Sequence, residues 1–248
     1  MSLLADLGNT RLKLATQVDG RIVRLIDLVH ADADFLERLV AWIARYPQFD
    51  RVVLASVAGP GCTTAVTTEF ARAGLRVDQV ATRRELLGLR TCYTRYEQLG
   101  VDRWLALLAL HQAGEGPCLA VGMGSALTCD VLTAGGLHLG GVIAPVPEAM
   151  RVALSARAPA LRQDRGRIEV LSTSTEDGIE SGCLLAAVGL IEHVRAAART
   201  RIGGVLRLVL SGGAAESVRA FLPDHRWQPD LVFEGLAHWA GAVPSGLG

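Results

Sequence analysis

The feature that most constrains the fold is a strand–turn–strand pattern that occurs twice, 116 residues apart in a chain of 248. A short apolar strand, Leu3 to Ala5, runs into Asp6-Leu7-Gly8-Asn9-Thr10. A second, Leu119 to Val121, runs into Gly122-Met123-Gly124-Ser125-Ala126. Each copy is followed by another strand and a glycine-containing turn. Because the order of elements repeats at one offset, the pattern predicts two related halves.

The link between the halves is predicted at Gly114-Glu115-Gly116-Pro117, which gives domains of residues 1–114 and 115–248. Each half is long enough for a modest core of its own. Hydrophobic periodicity predicts alternating strands and helices, hence the α/β class. The predicted helices are Ala31–Arg45, Ala65–Ala73, Gly100–Ala113, Thr175–Arg199 and Gly235–Ala242; the predicted strands include Arg51–Ser56, Leu75–Val80, a meander over Cys118–Ile143, Val205–Leu210 and Leu231–Phe233.

Composition excludes several classes of function. The 25 basic residues equal the 25 acidic ones, so no excess positive charge attracts nucleic acid or an anionic membrane. The longest apolar runs, such as Trp104 to Leu110, are too short to span a bilayer. Five cysteines without a C-x-x-C pair, and no room for a secretory signal before the first strand, predict a cytoplasmic location with reduced thiols. The histidine spacing does not favour a transition-metal site.

The first turn is a candidate phosphate site. Asp6 ends an apolar strand beside the Asn9 amide, the Thr10 hydroxyl and backbone N–H groups, and this donor set suits a metal–nucleotide phosphate. Gly8 and Asn9 are expected to reverse the chain in left-handed conformations. The alternative is an ordinary hairpin with an aspartate at its edge.

Lys13 is the only lysine among the basic residues, and it lies in this same segment. A compact ammonium group is required where a planar guanidinium does not fit, so a phosphate contact is one explanation. The other explanation is that Lys13 was retained by chance in a chain whose other basic residues are all arginine.

Two further segments have both a functional and a structural interpretation. Asp102, in Gly100-Val101-Asp102-Arg103, is either a first-turn acid that stabilises a helix or a general base beside an anion-binding arginine. Ser211-Gly212-Gly213 is either a plain turn or a place where a nucleoside approaches the backbone closely.

Taken together and in order, these segments resemble the type III pantothenate kinases, members of the actin/hexokinase/Hsp70-like superfamily. The resemblance covers essentially the whole chain. The matching motifs are Asp6-Leu7-Gly8-Asn9-Thr10 for D-x-G-N-T, Gly100-Val101-Asp102-Arg103 for G-x-D-R, Gly124-Ser125-Ala126-Leu127-Thr128 for G-T-A-x-T and Gly140-Gly141-Val142-Ile143-Ala144-Pro145 for G-G-x-I-x-P; Ser174-Thr175, Ser211-Gly212-Gly213 and Glu234-Gly235-Leu236 fall at further family positions. It implies two duplicated RNase-H-like (actin-like ATPase) domains, each a mixed sheet with flanking helices.

The resemblance also implies an activity and a site. The activity is ATP-dependent phosphorylation of pantothenate to 4'-phosphopantothenate, the first step of coenzyme A biosynthesis, by a homodimer. Asp102 would be the base, and Asp6 would position Mg²⁺. Pantothenate would contact Tyr93, Gly100, Arg103 and Thr175; the nucleotide would contact Asp6, Gly8, Asn9, Thr10, Lys13, Ser125, Thr128, Gly212 and Gly213.

Three positions depart from the family pattern. Gly122 stands where many members have an aspartate that reaches a monovalent cation, so we expect little or no dependence on potassium or ammonium. Ser125 replaces a threonine and keeps the hydroxyl, and Val146 replaces a glycine after Pro145. Two alternatives remain open: a kinase of the superfamily acting on another small hydroxyl acceptor, and an accessory regulatory protein of the same fold.

Overall fold

The computed structural model describes residues 1–158 and 165–243, which divide into two compact units. Of the described residues, the first unit contains 1–114, 136–138 and 230–243, and the second contains 115–135, 139–158 and 165–229. The chain thus passes from one unit to the other directly after Gly114. Residues 136–138 and the last described helix pack with the first unit.

The first unit is built on a five-stranded mixed sheet. Up to residue 114 its elements are β1 Ser2–Leu7, β2 Arg11–Val18, β3 Arg21–Val29, α1 Phe35–Ala44, β4 Arg51–Ser56, α2 Pro60–Arg72, β5 Arg76–Gln79, β6 Glu85–Leu86, β7 Leu89–Thr91 and α3 Val101–Gln112. The sheet order is β3-β2-β1-β4-β5. β2 is antiparallel to both β1 and β3, whereas β4 is parallel to β1 and to β5.

The second unit repeats this order. Its elements are β8 Cys118–Met123, β9 Ala126–Leu132, β10 Leu137–Pro145, α4 Pro147–Arg157, α5 Thr175–Ile202, β11 Arg207–Ser211, α6 Glu216–Arg219 and β12 His225–Trp227. The strands lie in the order β10-β9-β8-β11-β12, with β8 antiparallel to β9 and parallel to β11. β1 begins at Ser2 and β8 begins at Cys118, which reproduces the 116-residue offset. The predicted α/β class with two duplicated mixed-sheet units is confirmed.

Strand alternation decides which way Asp6 faces in the first unit. Leu3, Ala5 and Leu7 are buried in the core formed with α1 and α2, so Leu4 and Asp6 face the opposite side of the sheet. That side is covered by α3 and by α7, Leu231–Ala242, both of which contact the central strands.

The predicted strand over Leu231–Phe233 is wrong, because these residues form the first turn of α7. A three-residue apolar run has no period that separates strand from helix. The deciding pattern lies further along, where Leu231, Gly235 and Trp239 recur at helical spacing and are buried.

One helix among the described residues, α5, is long and apolar enough to cross a membrane. Core helices of globular proteins have the same properties. Leu184, Ala187 and Ile191 of α5 are buried against the sheet of the second unit. We therefore assign α5 as a core helix.

Candidate active site

The turn between β1 and β2 reverses the chain differently from expectation. Neither Gly8 nor Asn9 has a positive φ, so the prediction of left-handed conformations is wrong there. The reversal is instead a three-residue loop, closed by the Gly8 N–H, which donates to the Arg11 carbonyl at 3.0 Å. Asn9 and Thr10 are exposed in this loop. The tight left-handed turn is formed one hairpin later, at Asp19 and Gly20.

Asp6 and Lys13 are direct partners across β1 and β2. They are register neighbours, and Lys13 Nζ lies 3.6 Å from Asp6 Oδ2. The Asp6 side chain is only 14% exposed, and this burial raises its pKa from the usual value. The ammonium of Lys13 opposes the rise, whereas the carboxylate of Asp102 adds to it. The fold therefore brings two carboxylates and one ammonium close enough to interact.

Asp102 is the second residue of α3, which begins directly after Gly100. Its Oδ1 accepts the Arg103 backbone N–H at 2.8 Å, which satisfies one of the unpaired donors at the helix start. Gly100 is the N-cap residue of α3, so Asp102 is a first-turn acid. The chemical interpretation stays open, because a first-turn acid and a general base use the same carboxylate. A Cβ on Gly100 would lie 2.6 Å from Asp102 Oδ1, so a side chain there would displace the carboxylate.

Arg103 contacts Tyr93. Its side chain is 7% exposed, and Nη1 donates to the Tyr93 hydroxyl at 3.4 Å. The guanidinium carbon also lies 6.0 Å from the centre of the Tyr93 ring. A nearly buried guanidinium with an aromatic neighbour is suited to binding an anionic ligand, because the fork of donors matches a carboxylate.

The turn between β8 and β9 in the second unit corresponds to the turn between β1 and β2, and two candidate hydroxyl residues, Ser125 and Thr128, lie in or beside it. Ser125 is exposed at the tip, and Thr128 pairs with Gly122 across the two strands. Thr128 Oγ1 donates to the Gly122 carbonyl at 3.4 Å. A Cβ on Gly122 would lie 2.8 Å from that hydroxyl oxygen, so no side chain fits there unless Thr128 rotates.

The two glycines after β11 have different roles. Gly212 has a φ of +88°, and a Cβ there would lie 2.3 Å from the Met123 carbonyl oxygen, so packing against β8 requires glycine. A Cβ on Gly213 would meet nothing within 4 Å. The open side of this turn is therefore at Gly213. Thr175, the remaining candidate, is exposed at the first position of α5, after the N-cap Ser174.

Sequence reasoning missed two polar side chains in the first unit. The positive charge of Arg24 opposes the rise in the pKa of Asp6, and Arg24 Nε lies 2.5 Å from Asp230 Oδ1. A register shift between β2 and β3 sets Arg24 opposite Ala15, and such an irregularity has no clear sequence signal. The other is His138, a fully buried histidine beside Tyr93. Neither belongs to a motif, so neither was predicted.

No group of three or more His, Cys, Asp or Glu side chains among the described residues could hold a metal ion. Asp6 has one other carboxylate, that of Asp102, close enough to interact with it. This arrangement fits Mg²⁺, which proteins often bind through one or two carboxylates together with substrate phosphates and water.

Comparison with known proteins identifies the family. The family model described as type III pantothenate kinase matches residues 2–197. A type III pantothenate kinase of Xylella fastidiosa is 41% identical over 244 residues, 97% of each chain. One of Stenotrophomonas maltophilia is 38% identical over 243 residues, 98% of each chain. Among solved structures, a conserved Campylobacter jejuni protein named for the Baf family matches with a TM-score of 0.59. It is 18% identical over 95% of both chains, which supports the fold alone.

These matches cover nearly the whole chain at an identity that fixes the family, and they agree with the resemblance inferred from the motifs. The activity of the family is the ATP-dependent transfer of a phosphoryl group to the hydroxyl of pantothenate in coenzyme A biosynthesis. The chain belongs to the type III pantothenate kinase family.

Proposed function

We propose that this chain transfers the γ-phosphoryl group of ATP to the terminal hydroxyl of pantothenate, with Asp102 as the general base. The observation that carries the proposal is the position of Asp102 at the start of α3, adjacent to the buried Arg103 and close enough to Asp6 to raise its pKa. In this step the hydroxyl oxygen bonds to the γ-phosphorus, its proton passes to Asp102, and ADP leaves. Phosphoryl transfer needs positioning and charge neutralisation more than covalent chemistry.

Pantothenate binding is assigned to Arg103, Tyr93, Gly100 and Thr175. Arg103 offers a guanidinium with little exposure to water, and pantothenate has one carboxylate for it to bind. Tyr93 accepts a hydrogen bond from Arg103, which aims the guanidinium. Gly100 leaves the space that the carboxylate of Asp102 occupies. Thr175 adds a hydroxyl at the start of α5.

Nucleotide binding is assigned to two sets of residues. In the first unit, Lys13 supplies positive charge for the phosphates, and the exposed loop supplies polar groups from Gly8, Asn9 and Thr10. The assignments in the second unit are Ser125, Thr128, Gly212 and Gly213. Of the two glycines, Gly213 has the open side for a nucleoside, whereas Gly212 shapes the turn.

Kinases of this family use a divalent metal ion with ATP, and we propose that it is Mg²⁺ held by Asp6. When bound, the ion neutralises charge on the phosphates. Burial raises the pKa of Asp6, and an adjacent divalent cation would favour the ionised form. For a monovalent cation, Gly122 offers only its backbone carbonyl, already used by Thr128, so we propose no strong potassium or ammonium requirement.

We also propose that the enzyme is a cytoplasmic homodimer. No residue of α4 is buried in the single chain, and Val152 and Leu154 are exposed on it. On the preceding strand, Ile143 is 63% exposed. Exposed apolar side chains of this kind are typical of an interface. Sedimentation equilibrium of the wild type and of Ile143→Asp tests the assignment, and a monomeric wild type would contradict it.

The deciding experiment for the activity is product identification by mass spectrometry. The enzyme is incubated with MgATP and a panel of small hydroxyl acceptors that includes pantothenate, and Asp102→Asn serves as the matched inactive control. We expect one phosphoryl group on pantothenate for each ADP formed. Phosphorylation of a different acceptor in preference, or no phosphorylated acceptor at all, would contradict the proposal.

A further inference from the structure

His138 is an enclosed polar side chain to which no motif assigns a role. Its relative exposure is 0%. It is the second residue of β10 and pairs in parallel with Thr91 of β7, and its carbonyl accepts the Cys92 N–H at 3.1 Å. Burying an imidazole costs free energy unless its nitrogens are hydrogen-bonded. Its contacts therefore indicate what it stabilises.

These contacts converge on Tyr93 from two directions. His138 Nδ1 is hydrogen-bonded to Thr91 Oγ1 at 3.1 Å, and the same hydroxyl oxygen accepts the Tyr93 backbone N–H at 3.2 Å. The imidazole also stacks on the Tyr93 ring, with centroids 5.6 Å apart and planes inclined by 27°. The backbone and the ring of Tyr93 are thus both held through His138.

Tyr93 is the residue that contacts Arg103, through its hydroxyl and through the face of its ring. We propose that His138 is a positioning residue for the acceptor pocket, holding Tyr93 through Thr91 and through ring stacking so that Arg103 is aimed at the carboxylate of the acceptor. The inference rests on the proposed function, because it requires that Tyr93 and Arg103 bind the acceptor.

The effect on binding follows from this geometry. Without the imidazole and the Thr91 hydroxyl, Tyr93 gains rotational freedom that must be lost again when the acceptor binds. Ordering one such side chain changes affinity by up to about tenfold. The nucleotide phosphates lie elsewhere in this assignment, at Lys13 and the first turn. We therefore expect the KM for pantothenate to rise and the KM for ATP to stay constant.

The test uses the full chain and two variants that each remove the hydrogen bond between Thr91 and His138, one from either side. Thr91→Val removes the hydroxyl at nearly constant shape, and with it the acceptor of the Tyr93 N–H, whereas His138→Phe keeps an aromatic ring but removes both ring nitrogens. The matched control is Thr16→Val, because Thr16 is another buried threonine of the first unit, 4% exposed, whose hydroxyl donates to the Ser2 carbonyl at 3.1 Å. Thermal melting of every variant reports the loss of stability, and steady-state kinetics report the two KM values.

We expect the KM for pantothenate to rise by up to about tenfold in Thr91→Val and in His138→Phe, with no rise in Thr16→Val. The double variant should resemble either single one, because both act through the same contact. An unchanged KM for pantothenate in Thr91→Val, or an equal rise in Thr16→Val, would overturn the inference. If His138→Phe does not fold, Thr91→Val decides the question alone.

Tyr93→Phe and Arg103→Ala separate this inference from the assignment of the pocket. If neither variant changes the KM for pantothenate, the acceptor pocket lies elsewhere and both proposals fail. If both raise it while Thr91→Val does not, the pocket stands and only the role of His138 is refuted.

Discussion

Replacing Asp102 with asparagine separates the two roles that its carboxylate can have. The side-chain oxygen of asparagine can accept the Arg103 N–H that Asp102 Oδ1 now accepts at 2.8 Å. Asparagine and aspartate are comparable at helix starts, and the lost charge–dipole interaction costs about 0.3–1 kcal/mol. For a chain of this size, a loss near 1 kcal/mol lowers Tm by about 2–4 °C. The helix should therefore persist in Asp102→Asn.

Catalysis should respond far more strongly than stability. An amide cannot take the proton of the attacking hydroxyl, and loss of a general base lowers turnover by about 10²-fold or more. A factor of 10² corresponds to about 2.7 kcal/mol in the activation barrier. The expected result is thus a large fall in kcat, with ATP affinity nearly unchanged and a small change in Tm.

The assay is steady-state turnover at saturating ATP and pantothenate, with ATP binding and thermal melting measured on the same preparations. Glu37→Gln is the matched control, because Glu37 is also a first-turn acid in the first unit but lies in α1 and has no assigned role. Turnover in Asp102→Asn that stays within a few-fold of the wild type would remove Asp102 from the mechanism and leave it as a first-turn acid that stabilises α3.

Three other outcomes are expected. Lys13→Arg should weaken ATP use with little change in Tm, because a planar guanidinium does not reproduce the compact ammonium beside Asp6. An apparent ATP affinity that stays at the wild-type value in both Lys13→Arg and Lys13→Ala would contradict the phosphate contact. Turnover at matched ionic strength should need Mg²⁺ but change little when potassium or ammonium chloride is added to a Tris buffer, and steep saturable activation would refute the reasoning from Gly122. Gly235→Ala should lower the free energy of unfolding by about 1–3 kcal/mol, because a Cβ there would lie 2.2 Å from the Leu105 carbonyl oxygen. Gly241→Ala in the same helix should leave stability unchanged, since a Cβ there meets nothing within 4 Å. Equal melting temperatures for the two variants would contradict the close packing at Gly235.

Much of the fold could be predicted because its signals are local and repeated. The strand Arg51–Ser56 was predicted with its observed bounds, and α3 and α5 were predicted nearly so. The helix α4 was missed, since none of its side chains is buried and, among its apolar residues, Ala149 alone is partly buried against the core of the second unit. Leu231–Phe233 was assigned to the wrong element because three apolar residues have no distinguishable period.

Some residues of the candidate site could likewise be predicted from the sequence, and others could not. Asp6, Lys13, Asp102 and Arg103 were found because each lies in or beside a short motif that the chain keeps intact. Their roles remain proposals, although the structure brings Asp6 close to both Lys13 and Asp102. His138 could not be found, because a buried histidine on a strand has no signal until the strand that it pairs with is known.

The packing of α7 in the first unit has a consequence for the order in which the protein is made. The helices α7 and α3 contact each other, and each has a buried tryptophan, Trp239 in α7 and Trp104 in α3. The helix α3 also bears Asp102. The ribosome synthesises residues 231–242 only after every residue of the second unit, and domains tend to fold as units during synthesis. The layer that α3 and α7 form on the sheet of the first unit is therefore complete only after α7 has been synthesised. A nascent chain stalled before residue 231 would carry all the assigned site residues while exposing the apolar surface of α3 that α7 covers.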